Sequence, residues 1–162
     1  MENAKDTFYI TLRNRLAVLN PQRVIILRGL QRPGILMEEA EAVVPQMPAD
    51  AFVLRWTGLA VDAQLPSALA EMTCEVHYAT GGTQTNGGLD RGRALAEMDA
   101  ELLSILSPNC AQKMNYTQTP TTAMETQVFW TEPQFQPMVT LRERLTRVAK
   151  LTVFAFEEQG EL

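Results

Sequence analysis

The sequence is short of the residues from which most catalytic and metal sites are built: among 162 positions there is one histidine and there are two cysteines. A single histidine, His77, supports only one nucleophile–base pair, and zinc asks for at least three protein ligands. Glu75 stands two places from His77, on the same side of a strand, but no further His or Cys pattern joins them. The same alternation puts Cys74 on the opposite side from His77. Two cysteines, Cys74 and Cys110, frame no disulfide scaffold. With no basic stretch leading into an apolar one at the N-terminus, a reducing compartment and free thiols used for packing are expected. Long apolar runs are also missing. Stretches such as 24–27 and 151–156 fall far short of the ~20 residues of a bilayer-spanning helix, so no membrane is expected as a partner. Nor is there a basic excess: 14 Lys and Arg stand against 19 Asp and Glu, a formal charge of −5, which argues against a dedicated binder of the phosphate backbone.

What is present is 46% apolar residues in a chain of single-domain length, enough for a sizeable core. One domain, 1–162, is expected. Charge is segregated along it. Between Thr7 and Met37 every charged residue is arginine (Arg13, Arg15, Arg23, Arg28, Arg32), whereas 38–75 carries seven acids against Arg55 alone. Such segregation suits a basic face of one copy meeting an acidic face of another, or two solvated faces of a monomer.

Phe8, Leu12, Leu16 and Leu19 make the apolar stripe of a helix over 6–19, with Asp6 as cap and Pro21 as stop. Residues 23–28 read as a short buried strand closed by Gly29. The stretch 35–44 has helix-favouring composition, but its position before the strand-like 52–62 suggests a paired strand. Strict alternation from Ala70 to Tyr78 marks a half-buried strand. A glycine-rich loop follows, and then a helix over 90–106 with Leu95, Met98, Leu102, Ile105 and Leu106 inward, stopped by Ser107 and Pro108. The polar stretch 109–123 is expected as a surface excursion, 125–131 as a strand, and 139–157 as one long final strand. The fold class is therefore α+β: a mixed or antiparallel sheet of about four to six strands flanked by two main helices.

The spacing of Gly82 and Gly87, after a strand and before a helix, is that of a phosphate loop. Where that motif has Lys and Ser or Thr stand Gly88 and Leu89, so the charge that neutralises a nucleotide is missing. Arg91 and Arg93 on the first helical turn leave anion or nucleotide binding by the loop at 81–93 as the alternative function. Glu97 and Glu101 share a helix face and are expected to be solvated. Arg142, Arg144, Arg147 and Lys150 cluster without the aromatic platform of a single-strand binder, and suit an exposed or subunit-facing strand edge. No catalytic residue, metal or cofactor is expected. The expected docking surfaces are the loop of Thr80, Gly81, Gly82, Thr83, Gln84, Thr85, Asn86, Gly87 and Gly88, and within 109–123 the residues Tyr116, Thr117, Gln118 and Thr119.

The order of elements resembles a known family. An N-terminal amphipathic helix, short strands with proline-bearing loops, Cys74-Glu-Val-His-Tyr-Ala, the Gly-rich loop, Arg93-Ala-Leu-Ala-Glu-Met-Asp-Ala-Glu-Leu and a final Leu151-Thr-Val-Phe-Ala-Phe are similar to the tail terminator, or tail completion, proteins of long-tailed phages and prophages. The resemblance lies in layout and supplies no matched functional residue. It implies a homo-oligomeric ring, commonly a hexamer, that caps the tail tube, stops its polymerisation and meets the head-side connector. The implied partners are the tail tube protein and the head–tail connector protein, with DNA only passing through a lumen. The implied location is the host cytoplasm during assembly and then the virion tail or a tail-like particle.

Overall fold

The computed structural model describes residues 1–41, 47–159 and 161. Helix α1 spans Glu2–Leu19, beginning upstream of Asp6, because Ala4 extends the buried row of Phe8, Leu12 and Leu16 by one turn. Asp6 is thus inside the helix rather than capping it. Burial, and next the neighbouring Glu2, hold its carboxyl above the usual range.

The expected buried strand at 23–28 is instead one half of an exposed hairpin. Strands β1 (Val24–Leu27) and β2 (Leu30–Pro33) pair antiparallel as a sheet of their own. The two-residue connection has φ of 50° at Arg28 and 79° at Gly29, the mirror-image turn whose twist matches that of paired strands. A two-stranded ribbon cannot bury both its faces. Ile26 and Leu30 are accordingly 70% and 72% exposed.

Strand β3 (Ile35–Met37) runs parallel to the start of β4 (Phe52–Asp62) and passes into one helical turn, α2 (Glu38–Glu41). The expected strand at 35–44 therefore holds for its first three residues and yields to helix where Glu and Ala begin. Its remainder lies outside the described residues. The main sheet runs β3-β4-β5-β10-β7-β6, where β5 is Leu69–Thr80, β6 Cys110–Asn115, β7 Thr122–Trp130 and β10 Arg144–Phe156. Two short strands, β8 (Gln134–Phe135) and β9 (Val139–Leu141), add to β10, making eight rather than four to six. Every pairing but β3–β4 is antiparallel, so the sheet is mixed. The run at 139–157 is a hairpin rather than one strand, turning at Arg142, whose φ is 56°.

Beside this sheet the structure has two main helices, α1 and α3 (Arg91–Leu106). Their apolar stripes share one core with alternate residues of the central strands: Met72, Cys74, Val76 and Tyr78 of β5, and Ala149, Leu151 and Val153 of β10. Phe8 stands at the middle, edge-on to Trp56 and Trp130 at 5.8 and 5.1 Å between ring centres. Helix α3 has no basic residue in its last turn. Arg15 of α1 fills that role, donating to the carbonyls of Ile105 (2.9 Å), Pro108 (2.8 Å) and Cys110 (3.2 Å).

Candidate functional site

The glycine-rich loop is folded back on itself. Thr80 is fully buried; its hydroxyl donates to Asp50 Oδ1 (2.7 Å) and accepts from the Gly82 amide (3.1 Å). The Thr83 amide donates to Asp90 Oδ1 at 2.9 Å, so Asp90 spends its carboxylate on the loop rather than on capping α3. That bond, ahead of the others Asp90 makes, holds its carboxyl below the usual range. Between them Gln84–Asn86 form a short 3-10 turn, closed by the Gly88 amide on the Thr83 carbonyl and the Leu89 amide on the Asn86 carbonyl. Gly82, Gly87 and Gly88 have φ of 69°, 60° and 81°. A side chain at Gly82 would also put its Cβ 2.6 Å from Asp90 Oδ1.

This loop lines an open cleft of about 510 Å³ with Asp50, Arg91, Glu143 and Arg144. At this cleft the two cations are joined by two acids. Arg91 Nε donates to the Gly88 carbonyl (2.9 Å), and Arg144 to the Met47 carbonyl (2.9 Å).

The second expected docking segment is not a surface excursion. Its first half is strand β6, paired with β7, and holds the fully buried Lys113. Only the turn between these strands protrudes. There Asn115 Oδ1 accepts from the amide (2.9 Å) and hydroxyl (2.6 Å) of Thr117, and Thr122 donates to Gln118 Oε1 (2.9 Å). Thr117, Gln118 and Thr119 are exposed, while Tyr116 is half-buried and its phenol is held up, first by burial and then by Asp6.

The register separates the two segments. Thr80 stands opposite Leu145, at the start of β10, whereas Val128 of β7 stands opposite Ala155, near its end, with the 116–121 turn farther on. At ~3.3 Å per residue these ends are roughly 35 Å apart. The β1–β2 arm belongs to the Thr80 end, since the Phe52 amide donates to the Gly34 carbonyl (2.8 Å) and Phe52 pairs with Tyr78.

Other residues singled out in the sequence fall as follows. His77 and Glu75 do meet, at 2.8 Å, with Lys150 3.5 Å from the same carboxylate. They form a half-buried hydrogen-bonded cluster on the face of β5. Cys74 is in the core, its thiol pushed far up by burial, and is not brought to His77. Glu97 is exposed, but Glu101 is not on a solvated face. It receives Arg23 in a close bidentate pair and Asn20 Nδ2 at 2.7 Å. Arg32 likewise donates to Tyr9 (2.7 Å), and Arg13 lies 5.5 Å from the Tyr9 ring centre. Much of the segregated basic charge is thus used within the chain, leaving Arg28 exposed at the arm's tip. Arg147 pairs with Asp99 at 3.1 Å, and Asp99 also receives the Tyr78 hydroxyl.

Among the described residues no group of three His, Cys, Asp or Glu is placed to hold a metal ion. No helix among them is long and apolar enough to cross a membrane. No protein-family model matches the chain, and no curated protein matches it either.

Sequence reasoning missed one buried ionic pair and several separate groups of exposed apolar residues. Lys113 donates to Glu161, both side chains at 2% exposure or less, and to the Phe156 carbonyl at 2.8 Å. The apolar groups are Val18 on α1, Ile26 and Leu30 on the arm, Leu59 and Val61 on β4, and Met138, Val139 and Leu141 beside β10. Large contiguous exposed apolar patches mark protein or membrane contacts or ligand grooves.

Proposed function

We propose that the chain is an assembly subunit, and within that class a tail terminator (tail completion) protein of a long-tailed phage or prophage. Such a subunit closes with copies of itself into a ring, caps the tail tube, halts its polymerisation and offers its other end to the head-side connector. The observation that carries this reading is the two-ended layout. The loop at 80–88 and the turn holding Tyr116, Thr117, Gln118 and Thr119 stand at opposite ends of the longest strand pair, and exposed aliphatic residues accompany both ends. A subunit between a tube and a connector needs two axial surfaces, and lateral apolar contacts to close its ring. The two main helices would then form part of the ring's walls, with DNA sliding through a lumen.

Light scattering and electron microscopy of the purified protein provide the test. A ring with a central hole, forming as concentration rises, is the expected outcome, and a strict monomer at high concentration refutes the reading. Deleting the exposed part of either loop should alter tail length or head joining in a particle that carries the protein; normal tails from both deletions would remove these loops as docking surfaces.

A second reading, anion or nucleotide binding, draws on the presence of Arg91 and Arg144 at one cleft. Calorimetry with ATP, GTP and phosphate decides it. A heat of binding that disappears on Arg91→Ala supports it, and no heat in the unsubstituted protein eliminates it.

A further inference from the structure

Strand β4 is paired on both sides only at 52–54, where β3 lies against it. Among the described residues it pairs from 55 to 62 with β5 alone, and its outer edge there presents unpaired backbone groups. Leu59 and Val61 stand opposite Met72 and Ala70, both buried, so they lie on the core face of the sheet. They are nevertheless 57% and 44% exposed, because the helical cover stops short of this corner. A groove of about 320 Å³ opens there between Leu59, Trp56, Met72 and the first turns of α1. The corner combines an open strand edge with uncovered apolar side chains, the two components of recognition by strand addition.

The β1–β2 arm has the complementary character. Among the described residues each of its strands pairs only with the other, Ile26 and Leu30 are its most exposed large apolar side chains, and a ribbon of this size is marginal on its own. Its charges are Arg28, exposed at the tip, and Arg32, which is held by Tyr9. The edge beside the corner is acidic on its outer face, where Asp62 closes the strand and Glu71 stands opposite Ala60, while at the groove Glu2 and Glu39 are offset by Lys5 and the Met1 ammonium. Opposite potentials favour this pairing and fix its orientation. The arm does not reach the corner of its own chain. It is rooted at Gly34 beside Phe52, and Leu59 lies seven residues along β4 from there, roughly 23 Å away.

We propose that the β1–β2 arm of one copy docks on the open β4 edge and its Leu59–Val61 corner in a second copy, head to tail. This deepens the assembly reading and rests on it. Because the two halves of the contact sit at different places on the subunit, repetition gives a ring or an open string.

Cross-linking tests it. Ile26→Cys and Leu59→Cys are made in separate full-length proteins, each also carrying Cys110→Ser, and are treated with a short thiol-reactive linker singly and mixed. The expected result is a covalent dimer in the mixture and little in either protein alone. Ile26→Asp and Leu59→Asp, both at exposed sites, should each weaken association ~10-fold or more with an unchanged circular dichroism spectrum. If the protein assembles but the mixture links no better than its components, and neither Asp variant affects assembly, this contact is wrong while the assembly reading stands. Dominant Ile26–Ile26 linkage would replace it with a two-fold arm contact. A monomer at every concentration would overturn both.

Discussion

Among single residues, Lys113 and Glu161 form a buried ionic pair with a direct consequence for stability. Two opposite charges taken almost wholly out of water are costly apart and tolerable together. Burial works against ionisation of Glu161, but the Lys113 ammonium and the Glu158 amide outweigh it and hold the carboxyl below its ordinary value of 4.5. Glu161→Gln, leaving Lys113 buried without a counter-charge, should cost about 3 kcal/mol in a denaturant titration at pH 7, whereas Lys113→Met with Glu161→Leu should cost less than the single change. The pH dependence has a definite sign. A carboxyl whose pKa is lower folded than unfolded contributes its full stabilisation above the unfolded value and loses it as pH falls through the folded one. The difference between the original protein and Glu161→Gln should therefore be constant above about pH 6 and shrink below pH 4.5, as read from unfolding curves at each pH. None of this was legible in the sequence. Lys113 sits in a polar stretch, Cys110–Asn115, and its partner is 48 positions away, so no local pattern couples them. Glu101 was misread for the same reason: helical spacing places it beside Glu97, and only the tertiary fold brings Arg23 to it.

Among the elements, the arm is where local geometry and the proposed association pull apart. Arg28 holds a φ of 50°, a left-handed conformation that Asn tolerates better, and Asn followed by Gly is the preferred pair for this turn. Arg28→Asn should raise stability by a few tenths of a kcal/mol and yet weaken self-association, since it removes the charge at the tip; a thermal midpoint moving up while the light-scattering mass moves down is the expected combination. Gly29→Val should instead destabilise by about 1–2 kcal/mol through backbone strain alone, because no atom lies within 4 Å of the added Cβ. The sequence showed the first strand of this hairpin but not the second, because Leu30, Gln31, Arg32 and Pro33 carry no alternation and proline argues against a strand interior. Where periodicity was strong it was reliable. The alternation from Ala70 to Tyr78 lies within β5, and the stripe from Leu95 to Leu106 is the buried face of α3. The hairpin at β9 and β10 escaped notice because Arg142 and Glu143 give no glycine or proline signal at the turn.

For the whole molecule, the arrangement of its surfaces predicts the kind of symmetry. Arm and corner occupy different regions, so each subunit has one of each, and a contact joining them is heterologous. A two-fold contact, by contrast, uses the same patch twice, so a change to that patch damages both partners. The two cases separate on mixing defective subunits. Ile26→Asp spoils the arm but leaves a sound corner, and Leu59→Asp does the reverse. Each alone should stay monomeric where the original protein assembles. Mixed one to one, a sound arm can meet a sound corner once and no more, since the remaining arm and corner of that pair are both spoiled. Sedimentation velocity should then show a dimer that grows no further with concentration. Under a two-fold arm contact the Leu59→Asp subunits would pair among themselves, and mixing would add nothing. The original protein at the same concentration should pass beyond the dimer, ending in a closed ring if the rotation per contact divides the circle and in a string if it does not.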